Sequence, residues 1–63
     1  MNGYYKLVVE QLRQHGFAMV RQGGTSHQIW SDGSRFVTVS TNCYSRHTAN
    51  AIMRQADILY RFR

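Results

Sequence analysis

The spacing of apolar residues changes twice along this chain, and these changes restrict its fold more than any other feature. Tyr5, Val8 and Leu12 recur at the spacing of one helical face, within a helix predicted from about Gly3 to His15. The middle of the chain then alternates apolar and polar side chains, as half-buried strands do. Helical spacing returns near the C-terminus. The pattern therefore predicts a helix, a group of strands and a second helix.

The ends of the two helices carry recognisable signals. Asn2 is a suitable N-cap for the first helix, because its side chain can accept a hydrogen bond from a free backbone N–H. Gly16 supplies the left-handed residue that often follows a helix. Thr48 is the predicted N-cap of the second helix, which we expect to run from about Ala49 to Leu59. The stripe of the second helix that we expect to be buried consists of Ile52, Ala56 and Leu59.

Three strands are predicted between the helices, at residues 17–21, 26–31 and 35–40. Residues 22–25 (QGGT) have the composition of a loop. The Asp32-Gly33 pair favours a hairpin between the second and third strands, because glycine accepts the positive φ that such turns require. Successive hairpins make the predicted sheet antiparallel.

Alternation within the second strand places His27 and Ile29 on one face of the sheet, and Gln28 and Trp30 on the other. The most economical packing puts both helices on one face and leaves the other exposed to water. We therefore expect one small α+β domain over residues 1–63, ordered helix, three-stranded antiparallel sheet, helix. This arrangement resembles the fold of double-stranded-RNA-binding domains.

The charge of the chain indicates what it binds. Among 63 residues, eight Lys+Arg stand against three Asp+Glu, which gives a net charge of +5, and seven of the eight basic residues are arginine. Strongly basic small domains are typical of nucleic-acid-binding proteins. Arginine also binds phosphate through two parallel hydrogen bonds. We expect a nucleic acid or an acidic protein as partner; the alternative is charge that only keeps the surface hydrated.

Several classes of site are disfavoured. Cys43 is the single cysteine, so no internal disulfide can form, and neither a zinc site nor an activated thiol is evident. Gly23-Gly24 lacks the Gly-Lys-Ser/Thr of a P-loop, and the three acidic residues are scattered along the chain. We therefore expect no metal and no cofactor. No apolar run approaches the roughly 20 residues of a membrane helix, and no secretory signal is visible, so we expect a cytoplasmic protein without a membrane partner.

His27 is the strongest candidate for chemistry. It begins a predicted strand just after a glycine-containing loop, and histidine can accept or donate a proton at physiological pH. RNA carries its own nucleophile, the 2′-hydroxyl, so one placed histidine with phosphate-binding arginines can promote cleavage without a metal. Position alone nevertheless favours the simpler interpretation, a histidine that only occupies a strand.

Four segments together resemble HicA-type (YcfA-like) mRNA interferases. Residues 16–22 (GFAMVRQ) are similar to that family's G-F-x-x-V-R-Q, and residues 26–30 (SHQIW) to its S-H-H-I-Y. Residues 37–39 (VTV) are similar to its V-x-V-P strand, and residues 48–58 (TANAIMRQADI) to its T-L-x-x-I-L-K-Q-A-G-I. The segments occur in the family's order. The resemblance covers about residues 7 to 58.

The resemblance implies the toxin of a type II toxin–antitoxin pair, with the helix–three-strand–helix fold. Members cleave mRNA with the first histidine of the S-H-H segment, which falls on His27 here, so the resemblance makes His27 the expected catalytic residue. The implied partners are mRNA and a HicB-like antitoxin. The residues that we expect to bind RNA are Arg21, Gln22, Thr25, Ser26, Arg35 and Arg54.

The chain departs from the family pattern at four positions: Gln28 replaces the second histidine, Ser40 the proline after the third strand, Asn42 a histidine after that proline, and Asp57 a glycine. These changes leave His27 in place and put a second catalytic group in doubt. Two alternatives therefore stay open, an RNA-binding module that does not cleave and a small protein that binds only another protein.

Aromatic residues offer a further hypothesis. Trp30 and Phe36 could stack bases on the open face of the sheet, although a thin core is expected to need at least one of them for packing.

Overall fold

Three antiparallel strands lie between two helices in the computed structural model, which describes residues 3–23 and 26–63. The elements are α1 (Tyr5–Gln14), β1 (Ala18–Gly23), β2 (His27–Ser31), β3 (Phe36–Ser40) and α2 (Arg46–Gln55). The strand order is β1-β2-β3, and both neighbouring pairs are antiparallel. The predicted α+β fold is confirmed. Neither of these helices is long and apolar enough to cross a membrane.

Both helices pack on the same face of the sheet. Gln28 and Trp30 of β2 are paired with Val39 and Val37 of β3, and all four side chains are buried. Tyr5 of α1 donates a hydrogen bond to Gln28, so α1 lies over this face. The residues of α2 that enter the same core are Ala49, Ile52 and Met53.

The other face, called here the open sheet face, carries the remaining alternate residues of the strands. The residues whose pairing places their side chains there include Arg21, His27, Ile29, Phe36, Thr38 and Ser40. Neither α1 nor α2 covers it, and most of these side chains are exposed. The predicted division of β2, with His27 and Ile29 opposite Gln28 and Trp30, is confirmed.

A β-bulge in β1 decides which of its side chains reach the open sheet face. Met19 pairs with Trp30 and Arg21 with Ile29, so β1 has one more residue than β2 between these pairs. Without the bulge, Met19 and Arg21 would share a face; with it, they lie on opposite faces. Arg21 therefore joins the open sheet face.

The strand also extends further than predicted. β1 continues to Gly23, so the expectation that Gln22 and Gly23 belong to a loop was wrong. Their backbone pairs with Gln28 and His27, and this pairing continues the sheet to the start of β2. The other two residues of the predicted loop, 24 and 25, lie outside the described residues.

Helix α1 ends as its sequence predicts. Gly16 has a φ of 85°, and its N–H donates to the carbonyl of Arg13 at 3.1 Å. The N–H of Phe17 donates to the carbonyl of Leu12 at 2.9 Å. This is the paired hydrogen bonding of a Schellman motif. The predicted N-cap at the other end, Asn2, lies outside the described residues.

Helix α2 begins earlier than predicted. The Oγ of Ser45 accepts a hydrogen bond from the backbone N–H of His47 at 3.1 Å, which makes Ser45 the N-cap and Arg46 the first helical residue. The prediction of Thr48 as the cap was therefore wrong. Serine and threonine are both good caps, so the local sequence offers two starting points one turn apart.

Helix α2 also ends earlier than predicted, in a second Schellman motif. Asp57 has a φ of 60°, its N–H donates to Arg54, and the N–H of Ile58 donates to Met53. The chain therefore leaves the helix before Leu59, whose side chain is 94% exposed. The prediction that Leu59 is buried was wrong, because the left-handed residue turns Ile58 into the core instead.

The residues after α2 are held against the helical layer by one side chain. The amide of Asn50 donates to the carbonyl of Phe62 at 3.1 Å and accepts from its N–H at 2.7 Å. The Phe62 ring is buried and packs edge to face with Tyr4 and Tyr60, at centroid distances of 5.7 and 4.9 Å. Asn50 therefore fixes the path of the C-terminal segment.

We expect Asp57→Gly to stabilise the fold by about 1 kcal/mol, because glycine adopts a positive φ without the steric cost of a Cβ. The change also removes a carboxylate from the negative end of the α2 dipole. In a domain of this size, such a gain raises Tm by roughly 4–8 °C. Thermal unfolding followed by circular dichroism measures it. Asp57→Ala is the control, since it removes the same carboxylate but keeps the Cβ. A glycine variant no more stable than the alanine variant would contradict this interpretation.

Candidate active site

His27 is the first residue of the central strand, and its pairing leaves space around the imidazole. Its partners are Gly23 on β1 and Ser40 on β3. The His27 side chain is exposed. Gly23 has no side chain, and a Cβ built on it would meet nothing within 4 Å. A ligand lying on the open sheet face can therefore reach His27.

The backbone next to His27 is held in place from β3. The carbonyl of Ser26 accepts hydrogen bonds from the N–H of Thr41 at 2.7 Å and from its hydroxyl at 3.3 Å. The Oγ of Ser40 accepts from the N–H of Asn42 at 3.1 Å, which closes the turn after β3. These contacts hold the start of β2 and so fix the point from which the imidazole extends.

Arg21 shares the open sheet face with His27. It lies opposite Ile29, two positions along β1 from Gly23, and its side chain is exposed. Diagonal neighbours of this kind are about 7–8 Å apart in an antiparallel pair, a distance that an arginine side chain can span. A phosphate beside His27 is therefore within reach of the Arg21 guanidinium.

The structure separates other predicted RNA-binding residues from His27. Gln22 pairs with Gln28, so its side chain lies on the helix-covered side of β1. Arg54 is an exposed residue of α2, in the helical layer. Ser26 directly precedes His27 and is half-buried, and Thr25 lies outside the described residues.

Arg35 lies at the far end of the sheet. It precedes β3, whereas His27 is opposite the last residue of β3, and five residues of strand span about 15 Å. The Arg35 guanidinium lies 3.5 Å from the carbonyl of Gln55 and 3.8 Å from the carboxylate of Asp57. Arg35 thus joins the hairpin to the end of α2, and among the predicted arginines Arg21 alone shares a face with His27.

Gln28, which replaces the family's second histidine, is a core residue here. Its Oε1 accepts a hydrogen bond from the Tyr5 hydroxyl at 2.8 Å and another from the Trp30 indole N–H at 3.0 Å. The side chain is buried and points to the opposite face of the sheet from His27. The Gln28 side chain therefore supports the fold and lies away from the imidazole.

Two other groups that could carry chemistry, the Cys43 thiol and the Asp32 carboxyl, support the fold instead. Cys43 is buried, and burial raises the pKa of its thiol, which disfavours the reactive thiolate. Asp32 accepts hydrogen bonds from the N–H groups of Ser34 and Arg35, which lower the pKa of its carboxyl and close the hairpin. In residues 3–23 and 26–63, no three histidine, cysteine or acidic side chains are grouped as metal ligands.

The two aromatic candidates lie on opposite faces of the sheet. Trp30 is buried in the core, with the Arg13 guanidinium 5.7 Å from the centre of its ring. This confirms the expectation that the core needs at least one of them. Phe36 is 70% exposed on the open sheet face, at the end away from His27. Its ring is free to contact a ligand that extends along the sheet.

Ser40 is a neighbour of His27 that was not predicted from the sequence. The hairpin register could have identified it. Ser31 pairs with Phe36 at the hairpin, and counting four residues away from the turn along each strand places Ser40 opposite His27. In the sequence, Ser40 stands out only because it replaces the family's proline. Its hydroxyl lies on the same face as the imidazole.

Comparison with protein-family models matches residues 5–58 to the family described as "HicA toxin of bacterial toxin-antitoxin". The match begins at the first residue of α1 and ends just beyond α2, so it includes all five elements together with Arg21 and His27. Comparisons with curated proteins and with solved structures give no match.

We expect Gln28→Ala to lower the free energy of unfolding by about 2–3 kcal/mol, because it leaves the Trp30 indole N–H and the Tyr5 hydroxyl without their acceptor. Chemical denaturation measures this. Gln22→Ala is the matched control: it removes the same side chain from the paired position on β1, where it is exposed, and should change stability by less than about 0.5 kcal/mol. If both substitutions lowered the free energy of unfolding equally, the structural role assigned to Gln28 would be contradicted.

Proposed function

Because the chain belongs to the HicA toxin family of bacterial toxin–antitoxin systems, we propose that it is an endoribonuclease that cleaves mRNA with His27 as its catalytic residue. The observation that carries the proposal is the position of His27: exposed at the start of the central strand, beside a glycine and on the same face as Arg21. A proton-transfer group and a phosphate-binding group thus share one accessible surface.

The proposed reaction uses the nucleophile of the RNA itself. His27 accepts the proton of a 2′-hydroxyl, and the 2′-oxygen attacks the adjacent phosphorus. The bond from phosphorus to the 5′-oxygen breaks, and that oxygen takes up a proton either from the histidinium or from water, in which case the histidinium passes its proton to solvent. The products are a 2′,3′-cyclic phosphate and a free 5′-hydroxyl. His27 returns to its starting state, and no redox partner is required.

Arg21 supplies the electrostatic part of this mechanism. The phosphorane carries more negative charge than the starting phosphodiester, so a guanidinium that reaches it lowers the barrier. Arginine suits this role because its N–H groups match two phosphate oxygens. Ser26, which precedes His27, and Thr25 remain proposed contacts to the RNA backbone. Gln22, Arg35 and Arg54, if they bind RNA, contact it outside the open sheet face.

The partner that we propose is a HicB-like antitoxin that covers the open sheet face. Such a partner would block access to His27 and mask the charge of Arg21. Because mRNA is the proposed substrate, the toxin would act in the cytoplasm.

A second candidate function is RNA binding without cleavage. One observation favours it: the strand neighbours of His27 are Gly23 and Ser40, and neither offers a titratable group to share proton transfer. In that case the RNA would be held but not cut. Incubation of the purified protein with RNA, free of antitoxin, separates the two functions by the presence or absence of cut products.

We expect His27→Ala to reduce RNA cleavage by about 10²–10⁴-fold, since general acid–base catalysis contributes that much. Stability should change little, because the side chain is exposed. The measurement is single-turnover cleavage of a labelled RNA. His15→Ala is the control, because His15 is an exposed histidine after α1 and its substitution should leave the rate unchanged. A folded His27 variant that cleaves as fast as the His15 variant would exclude His27 as the catalytic residue.

We expect a single 2′-deoxy substitution at the mapped cut site to abolish cleavage of that bond, because DNA lacks the proposed nucleophile. The substituted and unsubstituted oligonucleotides are incubated side by side with a metal chelator. The unsubstituted RNA should be cut at its normal rate and end in a cyclic phosphate. Cleavage of the substituted bond, or loss of all cleavage in chelator, would point instead to a metal-activated water.

A further inference from the structure

A second positively charged region lies in the helical layer, on the opposite side of the molecule from the open sheet face. It is a shallow cavity of about 380 Å³, called here the arginine pocket, and it is lined by Arg46, His47, Asn50, Arg61, Phe62 and Arg63. Three of the eight lysine and arginine residues of the chain thus line one cavity.

The fold builds this pocket from two distant parts of the chain. Arg46 is the first residue of α2, and Arg61 and Arg63 lie on either side of Phe62 near the C-terminus. The two hydrogen bonds between Asn50 and the Phe62 backbone hold this segment beside α2. Since the Phe62 ring is buried, the backbone of the two arginines lies beside α2, and their side chains are exposed.

No acidic side chain lines the pocket. Of the three acidic residues, Asp57 lies 3.8 Å from Arg35, Asp32 closes the hairpin, and Glu10 is on α1. The Arg35–Asp57 contact is the ion pair found among the described residues. Three arginines thus line one cavity without an acidic side chain among its lining residues, so an anion bound there would be attracted by all three.

The geometry points to RNA phosphate as that anion: we propose that the arginine pocket binds the backbone of the same RNA that His27 acts on. The inference rests on the proposed function and extends it to a second contact. Guanidinium groups bind phosphate oxygens in pairs. Within the pocket, the apolar side chain of Phe62 is buried, so the accessible lining is polar and cationic. The exposed apolar side chains of Leu7, Leu59 and Tyr60 line the neighbouring cavity instead.

The position of the pocket allows one strand of RNA to reach both sites. β3 ends at Ser40, opposite His27, and α2 begins six residues later at Arg46. The start of α2 and His27 are therefore at the same end of the molecule, in different layers. The molecule is small, with principal extents of 29, 28 and 15 Å, so one RNA chain is long enough to contact both layers.

The test measures RNA binding in a His27→Ala background, so that the RNA is not cut. In that background, Arg61→Gln/Arg63→Gln is compared with Lys6→Gln/Arg13→Gln, which removes two exposed charges of α1, outside the pocket. Binding of a labelled single-stranded RNA is measured at several salt concentrations. Each lost phosphate contact lowers the slope of log affinity against log salt by about 0.7. We expect the pocket variant to lose about 1.4 of this slope and about 10-fold in affinity at low salt, and the control variant to lose less than half as much.

Two further arms keep the result interpretable. Arg61→Lys/Arg63→Lys retains both charges and should keep the salt slope, whereas a variant that had lost its fold would not. Circular dichroism confirms that each variant is folded. A folded glutamine variant whose slope equals that of the parent or of the control overturns the inference. The inference is also overturned if the glutamine variant binds RNA like the parent but is no longer neutralised by the antitoxin, because the pocket would then bind protein.

The outcome does not depend on catalysis. If the protein with His27 intact binds RNA through the pocket but leaves it uncut, the proposed ribonuclease function fails and the pocket assignment stands. If RNA is cut and the glutamine variant binds it like the parent, the ribonuclease function stands and the pocket assignment fails.

Discussion

The buried side-chain oxygen of Gln28 joins the two layers of this protein, and the orientation of the candidate active site depends on it. It accepts one hydrogen bond from α1 through Tyr5 and one from the core residue Trp30. The bond from Tyr5 holds α1 over the face of β2 that carries Gln28 and Trp30. Because side chains alternate along a strand, the opposite face of β2 carries His27. The residue that replaces the family's second histidine thus lies beneath α1, and the remaining histidine lies on the open sheet face.

The order of the elements could be predicted because its signals are local. Alternation in the strands and the Asp32-Gly33 hairpin follow from neighbouring residues, and both agree with the structure. The bounds of α2 could not be predicted, since Ser45 and Thr48 are equivalent caps by residue type. The end of α2 depends on the left-handed conformation of Asp57. Aspartate tolerates this conformation, but its presence in a sequence does not predict it.

The candidate active site was predictable only in part, because some of its features depend on the tertiary structure and not on local sequence patterns. The catalytic role proposed for His27 came from the family resemblance, whereas its position in the sequence alone favoured a structural role. Arg21 was named from sequence, but its place beside His27 depends on the bulge, which no residue pattern in β1 signals. The place of Arg61 and Arg63 in the arginine pocket could not be predicted, because it depends on the contact between Asn50 and Phe62. These two residues are twelve positions apart in the sequence.

The bulge also makes the open sheet face tolerant of one change in chain length. Val20, between Met19 and Arg21, is the extra residue of β1. Loss of its codon would restore regular pairing with Met19 still opposite Trp30 and Arg21 still opposite Ile29, so Arg21 would stay on the open sheet face. In genetic terms, a three-nucleotide deletion at this point shortens β1 without moving the cation of this face to the other side of the sheet.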